Sequence, residues 1–255
     1  MAKNKTGIRS TADSLVSFIR GLKEDTGCKG FVVGLSGGLD SAVVTKLAVD
    51  AVGGDNVLNI FMPVDSTPKA DYDITTKMSD MWGTRYKVIN IQSVVDPFVK
   101  ITDSEDRMDI GNIAARSRMT ILFNEARKNG YIVLGTSNKS ELMMGYFTKF
   151  GDGACDAMPI CNLFKTQVRS LAKEIGVPAE VISKPPTAGL WEGQTDESDM
   201  QITYDDLDRI LAAVTEGNDP MSVISDTISK EDVQRIMQRV DAMKHKSSPP
   251  YRPSI

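Results

Sequence analysis

Along this chain, short apolar runs alternate with longer stretches in which apolar positions recur every three or four residues. FVVGL at 31–35, VLNIFMP at 57–63, YKVINI at 86–91 and YIVLGT at 131–136 are brief and rich in β-branched or aromatic residues, which predicts buried strands. The stretches between them, at 39–52, 68–82 and 109–129, have helical periodicity, and the last stops at Asn129-Gly130, a pair suited to a helix C-cap. An opening helix is expected over 11–26, where Leu15, Phe18, Ile19 and Leu22 share a face and Thr11 or Asp13 can act as the cap. Strand and helix alternation implies right-handed crossovers, so the expected fold is α/β, a doubly wound parallel sheet flanked by helices. After residue 145 the strand pattern stops, and helices are expected at 165–176, 203–216 and 229–245. No repeat or linker-like shift interrupts residues 1–246, which predicts a single domain, followed by a Pro-rich tail at 247–255.

Composition narrows the function classes. The 255 residues are 41% hydrophobic and 25% charged, as in an ordinary soluble globule. The longest apolar runs fall far short of the roughly 18 residues that cross a bilayer, so no membrane partner is expected. The N-terminus lacks the apolar core of a signal peptide, which makes a cytoplasmic location the default. Cys28, Cys155 and Cys161 are odd in number and form no CxxC pair, against a disulfide framework or thiolate zinc site. The net charge of −4 speaks against a nucleic-acid partner. His245 is the only histidine, which removes histidine-rich metal sites and leaves imidazole-based nucleophile activation improbable outside the tail.

The densest chemical signal is GLSGGLDS at 34–41, between a strand and a helix. Gly34, Gly37 and Gly38 let backbone approach a ligand, and Ser36 and Ser41 add hydroxyl donors. The helix opening near Leu39 presents free N–H groups to an anion. Neither a Walker A loop nor a Rossmann fingerprint matches, because the lysine is absent and Asp40 precedes Ser41. An acidic residue beside phosphate calls for a cation between them, so Asp40 predicts Mg2+. The plain structural reading is a turn in which Asp40 merely favours the helix dipole.

SGGLDS resembles the pyrophosphate loop of the N-type ATP pyrophosphatases, whose sheet is of the adenine nucleotide alpha-hydrolase-like kind. These enzymes adenylate a carbonyl or carboxylate oxygen and let a nitrogen or sulfur nucleophile displace AMP. The segment GTSNKSELMMGYFTKFGDGACDAMPICNLFKTQ at 135–167 resembles NAD synthetase, and so do KPPTAGLW at 184–191, ITYDDLD at 202–208 and HK at 245–246. That likeness covers nearly the whole chain. It implies an ATP site at Gly34, Leu35, Ser36, Gly37, Gly38, Leu39, Asp40, Ser41, Thr136, Lys165 and Thr187, with Asp40 and Lys165 in catalytic roles. It implies Asp40 and Glu141 as Mg2+ ligands, and Arg116, Lys149, Asp156, His245 and Lys246 as contacts to deamido-NAD. Ser137 and Asn138, where many relatives carry an acidic residue and a histidine, receive no role. Met143 and Met144 are expected in the core.

The implied reaction is amidation of deamido-NAD to NAD with ATP, in a homodimer. Free ammonia is the expected nitrogen source, since the first motif begins at Gly34 and leaves no room for a glutaminase domain before it. Two alternatives stay open at this level: another ATP pyrophosphatase, such as a tRNA thiolation enzyme, and a non-catalytic nucleotide-binding module. Loops near 64–70 and 188–200 are expected to order over bound substrates.

Overall fold

The structure, a computed structural model, describes residues 2–187, 189 and 193–253. The chain opens with α1 (Ala2–Thr26), followed by β1 (Gly30–Gly34), α2 (Leu39–Val52), β2 (Val57–Phe61), α3 (Lys69–Trp82) and β3 (Arg85–Val88). Two helices, α4 (Gln92–Thr102) and α5 (Arg107–Asn129), then lead to β4 (Tyr131–Leu134). Among the described residues the strands form one parallel sheet in the order β3-β2-β1-β4, with Phe31 between Val57 and Ile132. The chain therefore winds outward from β1 through β2 to β3 and returns to the other side of β1. The reversal falls between β1 and β4, and their carboxyl ends are GLSGGLDS and GTSNKSE, the place where such sheets bind ligands.

Side-chain alternation in β1 and β2 feeds two cores. Phe31, Val33 and Val57 join Val43, Leu47, Val168 and Leu171 on one face; Val32, Leu58 and Ile60 join Ile91, Val95, Ala114 and Ala126 on the other. Asn59 interrupts the apolar run of β2, yet its amide is satisfied by Thr45, Ser79 and Thr84 at 2.9–3.3 Å. A buried polar group so paired ties α2, α3 and the approach to β3 together.

Several boundaries differ from the sequence expectation. The helix expected at 11–26 begins at Ala2, so Thr11 is no cap; its hydroxyl instead donates to Gly7 O at 2.9 Å within the helix. β3 is the sheet edge and is largely exposed rather than buried, with Lys87 paired to Glu125 at 2.5 Å. Pairing continues beyond the shorter strands, since Ile89 donates to Phe61 O and Ile91 to Pro63 O, both at 2.9 Å. α4 was not expected: Pro97 lies inside it, and QSVVDPFVKIT has β-branched residues that favour strands. α5 matches its expected span, with Asp106 accepting from Met108 N at 2.7 Å and Gly130 at φ 68° closing the far end.

The remaining elements are helical: α6 (Lys139–Met144), α7 (Lys165–Glu174), α8 (Ala179–Ser183), α9 (Asp196–Met200), α10 (Tyr204–Thr215) and α11 (Lys230–Ser247). α7, α10 and α11 lie within two residues of their expected spans. Met144, Met200, Tyr204, Leu207, Ile210, Ile236 and Val240 make a separate core there, with Met143 packed against it. Of the two segments read as loops, 64–68 is a turn held by Thr67, while α3 already starts at Lys69. In 188–200, residues 196–200 form α9, whereas 188 and 190–192 lie outside the described residues.

Candidate active site

The loop between β1 and α2 is held open by its own serines. Ser41 Oγ donates to Gly38 O at 3.0 Å and accepts from Ser36 N at 3.2 Å, while Gly38 N donates to Ser36 Oγ at 3.3 Å. Gly37 sits at φ 80°, a conformation that favours glycine, and a Cβ there would lie 3.1 Å from Ile74. Gly38 caps α2 without a side-chain acceptor, so the first N–H groups of that helix receive no side-chain cap from it and suit an anion.

Asp40, in the first turn of α2, meets residues from the helical half. The Lys165 ammonium, on a residue only 3% exposed, contacts Asp40 Oδ2 and Glu141 Oε1, the latter at 3.1 Å. Asn138 organises the pair. Its amide nitrogen donates to Asp40 Oδ1 at 3.1 Å, its oxygen accepts from Glu141 N at 3.0 Å, and Glu141 Oε2 accepts from Asn138 N at 3.2 Å. This capping box fixes Glu141 at the start of α6 directly after β4.

Lys165 opens α7 and is anchored from behind. Its backbone N donates to Ser140 Oγ at 3.0 Å, Ser140 donates to Asp208 Oδ1 at 2.5 Å, and Thr166 N donates to Asp208 Oδ2 at 2.8 Å. The Tyr204 ring centre lies 5.2 Å from the Lys165 ammonium. Burial pushes the Glu141 carboxyl up to about 8, with Lys165 opposing and Asp40 reinforcing that shift. Burial alone would lower the Lys165 ammonium, but Asp40 and Glu141 outweigh it and hold it above its ordinary range. Burial also raises the carboxyls of Asp196 and Asp208.

Asp40, Glu141, Lys165 and Asp196 line a cleft of about 810 Å³ at the carboxyl edge of the sheet. Of the expected ATP and metal residues, Gly34, Leu35, Ser36, Gly38, Leu39, Asp40, Ser41, Thr136, Glu141, Lys165 and Thr187 line it. Gly37 is buried against Ile74 instead, on the back of the loop. The expected dinucleotide contacts divide. Lys246 lines the cleft and donates to Gly145 O at 2.6 Å and to Phe147 O. Arg116, Lys149 and His245 lie outside the cleft lining and join one another: Arg116 reaches Lys149 O at 3.5 Å, and Lys149 donates to His245 O at 2.7 Å. Asp156 stands apart from them, exposed, its carboxylate accepting from Val133 N at 2.7 Å at the β4 edge.

Sequence reasoning missed Asn138, Asp196, Tyr204 and Asp208. The last two lie inside ITYDDLD, a segment whose likeness to the family was visible without its purpose. Asn138 had a local signal, because Asn followed three residues later by Glu is a helix-start pattern. Arg118 lines the cleft as well, its guanidinium donating to Met62 O at 3.0 Å.

The arrangement offers an anion seat, two hard carboxylates and a buried ammonium at one point of a cleft, a set suited to phosphate chemistry. Comparison with known proteins agrees. The family model described as NAD synthase matches residues 11–250. The chain is 42% identical over 243 residues to the NH(3)-dependent NAD(+) synthetase of Methanococcoides burtonii, covering 93% of this chain and 92% of that one. Among solved structures, it is similar to the NMN synthetase of Francisella tularensis, with TM-score 0.87 and 34% identity over 97% of this chain and 99% of that one. It is also similar to the NH3-dependent NAD synthetase of Campylobacter jejuni, with TM-score 0.83, 29% identity and coverage of 97% and 99%. On sequence and fold together, this chain belongs to the NAD synthase family.

Proposed function

We infer that the cleft carries out ATP-dependent amidation of deamido-NAD to NAD with ammonia, releasing AMP and pyrophosphate. A carboxylate is a poor electrophile, and transfer to AMP converts its oxygen into a good leaving group. Ser36, Ser41 and the open N-terminus of α2 hold the β and γ phosphates as they depart together. Lys165 meets the negative charge that develops on them. The ammonia lone pair then forms the C–N bond as the C–O bond to AMP breaks, the electron pair leaving with AMP and a nitrogen proton passing to solvent. The single observation that carries this reading is Lys165, buried and shared by Asp40 and Glu141 beside the glycine loop.

Asp40 and Glu141 are the proposed Mg2+ ligands. Two carboxylates fit an ion that takes one or two protein oxygens and completes its shell with phosphates and water. Among the described residues there is no group of three or more His, Cys, Asp or Glu side chains arranged for a metal, which suits a site completed by ATP. When bound, Mg2+ would supply neutralisation of the phosphate charge, with Asp40 and Glu141 as the side chains that would hold it. Arg116, Lys149, Asp156, His245 and Lys246 are the proposed contacts to deamido-NAD; the gathering of Arg116, Lys149 and His245 supports this for three of them.

A homodimer is proposed from α4. Val94, Phe98 and Ile101 are spaced at four and three residues on that helix and are 39%, 52% and 79% exposed. An apolar stripe of this kind suits a subunit interface. Sedimentation of the wild type as a dimer, and of Phe98→Asp with Ile101→Asp as a folded monomer, is the expected outcome. A cytoplasmic setting is also proposed: Cys28, Cys155 and Cys161 are all free, and among the described residues no helix is long and apolar enough to cross a membrane.

Incubation with ATP, magnesium, ammonium and deamido-NAD should yield NAD and AMP; ADP in place of AMP would sink the mechanism. The same assay with the corresponding acid mononucleotide addresses the name borne by the Francisella neighbour. The higher identity to the Methanococcoides enzyme favours the dinucleotide.

A further inference from the structure

Asp196 opens α9 at the wall of the cleft and is 3% exposed. Its Oδ2 accepts from the Tyr204 hydroxyl at 3.0 Å, while Oδ1 is buried with no hydrogen-bond partner among the described residues. A buried carboxylate oxygen left in that state is costly, and native structures rarely keep one without a ligand, water or ion to satisfy it. The neighbouring polar groups are largely taken up by one another: Asp199 Oδ2 accepts from the Tyr146 hydroxyl at 2.7 Å and from Gln194 Nε2 at 2.8 Å, and the same hydroxyl also acts on the Asp196 carboxylate.

The local charge points the same way. Lys165, the buried ammonium of this region, contacts Asp40 and Glu141 and acts on Asp196 only through space, so Asp196 adds a further carboxylate with no cation in direct contact. Oδ1 therefore asks for a small positively charged donor. A tetrahedral ammonium ion needs only a charge-assisted hydrogen bond to the carboxylate and can direct its other N–H groups to nearby oxygens.

We propose that Asp196 Oδ1 is the seat of the ammonium ion: the carboxylate takes one N–H proton, and the ammonia so released at the cleft wall carries the lone pair that attacks the adenylate. This rests on the amidation reading above. Asp196 is then a residue that selects and concentrates the nucleophile, and it has no part in forming the adenylate. Tyr204 is its positioning residue, since it holds the other carboxylate oxygen.

The test uses the full chain with Asp196→Asn, and three rates. They are NAD formation against ammonium concentration, exchange of labelled pyrophosphate into ATP with deamido-NAD but no ammonium, and hydroxamate formation with hydroxylamine, which is uncharged at neutral pH. The half-saturating ammonium concentration should rise about ten-fold or more, the loss of one hydrogen bond to a charged group. Pyrophosphate exchange and hydroxylamine use should stay near wild type. Unchanged ammonium saturation overturns the proposal, as does a parallel fall in all three rates, or a shift in the magnesium dependence of exchange. If Asp196→Asn does not fold, Tyr204→Phe is read by the same criteria. Failure of the wild type to form NAD at all would instead overturn the amidation reading, so the two can be told apart.

Discussion

The sheet half and the helical half of this molecule approach the same cleft with different materials. The sheet half presents mostly backbone: an uncapped helix N-terminus, a glycine at positive φ and serines that brace the loop. The helical half presents charged side chains, the buried Lys165 and Asp196 and the half-buried Glu141, each held from behind by further polar groups. The difference teaches that the reaction type is set by a loop that short-range sequence can encode. The charges that complete it depend on contacts across long separations, such as Asp40 with Lys165.

If that division holds, removing the one sheet-half carboxylate that joins the two sets should have the largest effect. Asp40→Ala is expected to lower turnover by about 10²–10³-fold, the usual scale for an electrostatic group at a reacting centre, measured by AMP formation. A non-catalytic binding module would show no such loss. Next comes Asp208→Asn, which touches no substrate-facing atom but weakens the bonds that seat the start of α7. A fall in kcat of about ten-fold is expected, equal to roughly 1.4 kcal/mol of misplaced Lys165 charge, with the fold retained in circular dichroism.

A pH scan probes the helical half without a reacting substrate. The Glu141 carboxyl is raised from its ordinary 4.5 to about 8 by burial, so between those values the folded protein holds a proton that the unfolded chain has released. The unfolded state then binds fewer protons, and stability falls as pH rises through that window. Lys165, raised above 10.5, stays charged throughout and contributes no change there. Without metal, the melting temperature should drop between pH 4.5 and 8 in the wild type and drop less in Glu141→Gln. The smallest effect on activity is expected from Val43→Ala in the sheet-half core. It should cost about 1–3 kcal/mol in denaturant titration, with ATP saturation of the folded enzyme unchanged.

Much of the sheet was legible because its strands are short apolar runs between amphipathic helices. Misreadings fell where tertiary position overrides local pattern. β3 carries a strand sequence but lies at the edge, and α4 forms despite Pro97 because Val95 and Val99 pack with Ile91 against the sheet. In the cleft, the glycine loop was readable from spacing, and Lys165 and Glu141 from resemblance. Asp196, Asp208 and Tyr204 were not, since an acidic or aromatic residue on a helix looks solvent-facing or core-forming until the opposite wall is in place. Asp156, nominated for substrate by the family pattern, is an exposed carboxylate whose Oδ2 accepts from Val133 N.

The central claim, that this cleft forms an acyl-adenylate and releases pyrophosphate before nitrogen enters, is tested most directly by isotope exchange. With magnesium, ATP and deamido-NAD but no ammonium, labelled pyrophosphate should enter ATP, and ammonium should then convert the waiting adenylate to NAD and AMP. Exchange that requires ammonium, or no exchange alongside formation of ADP, would contradict it.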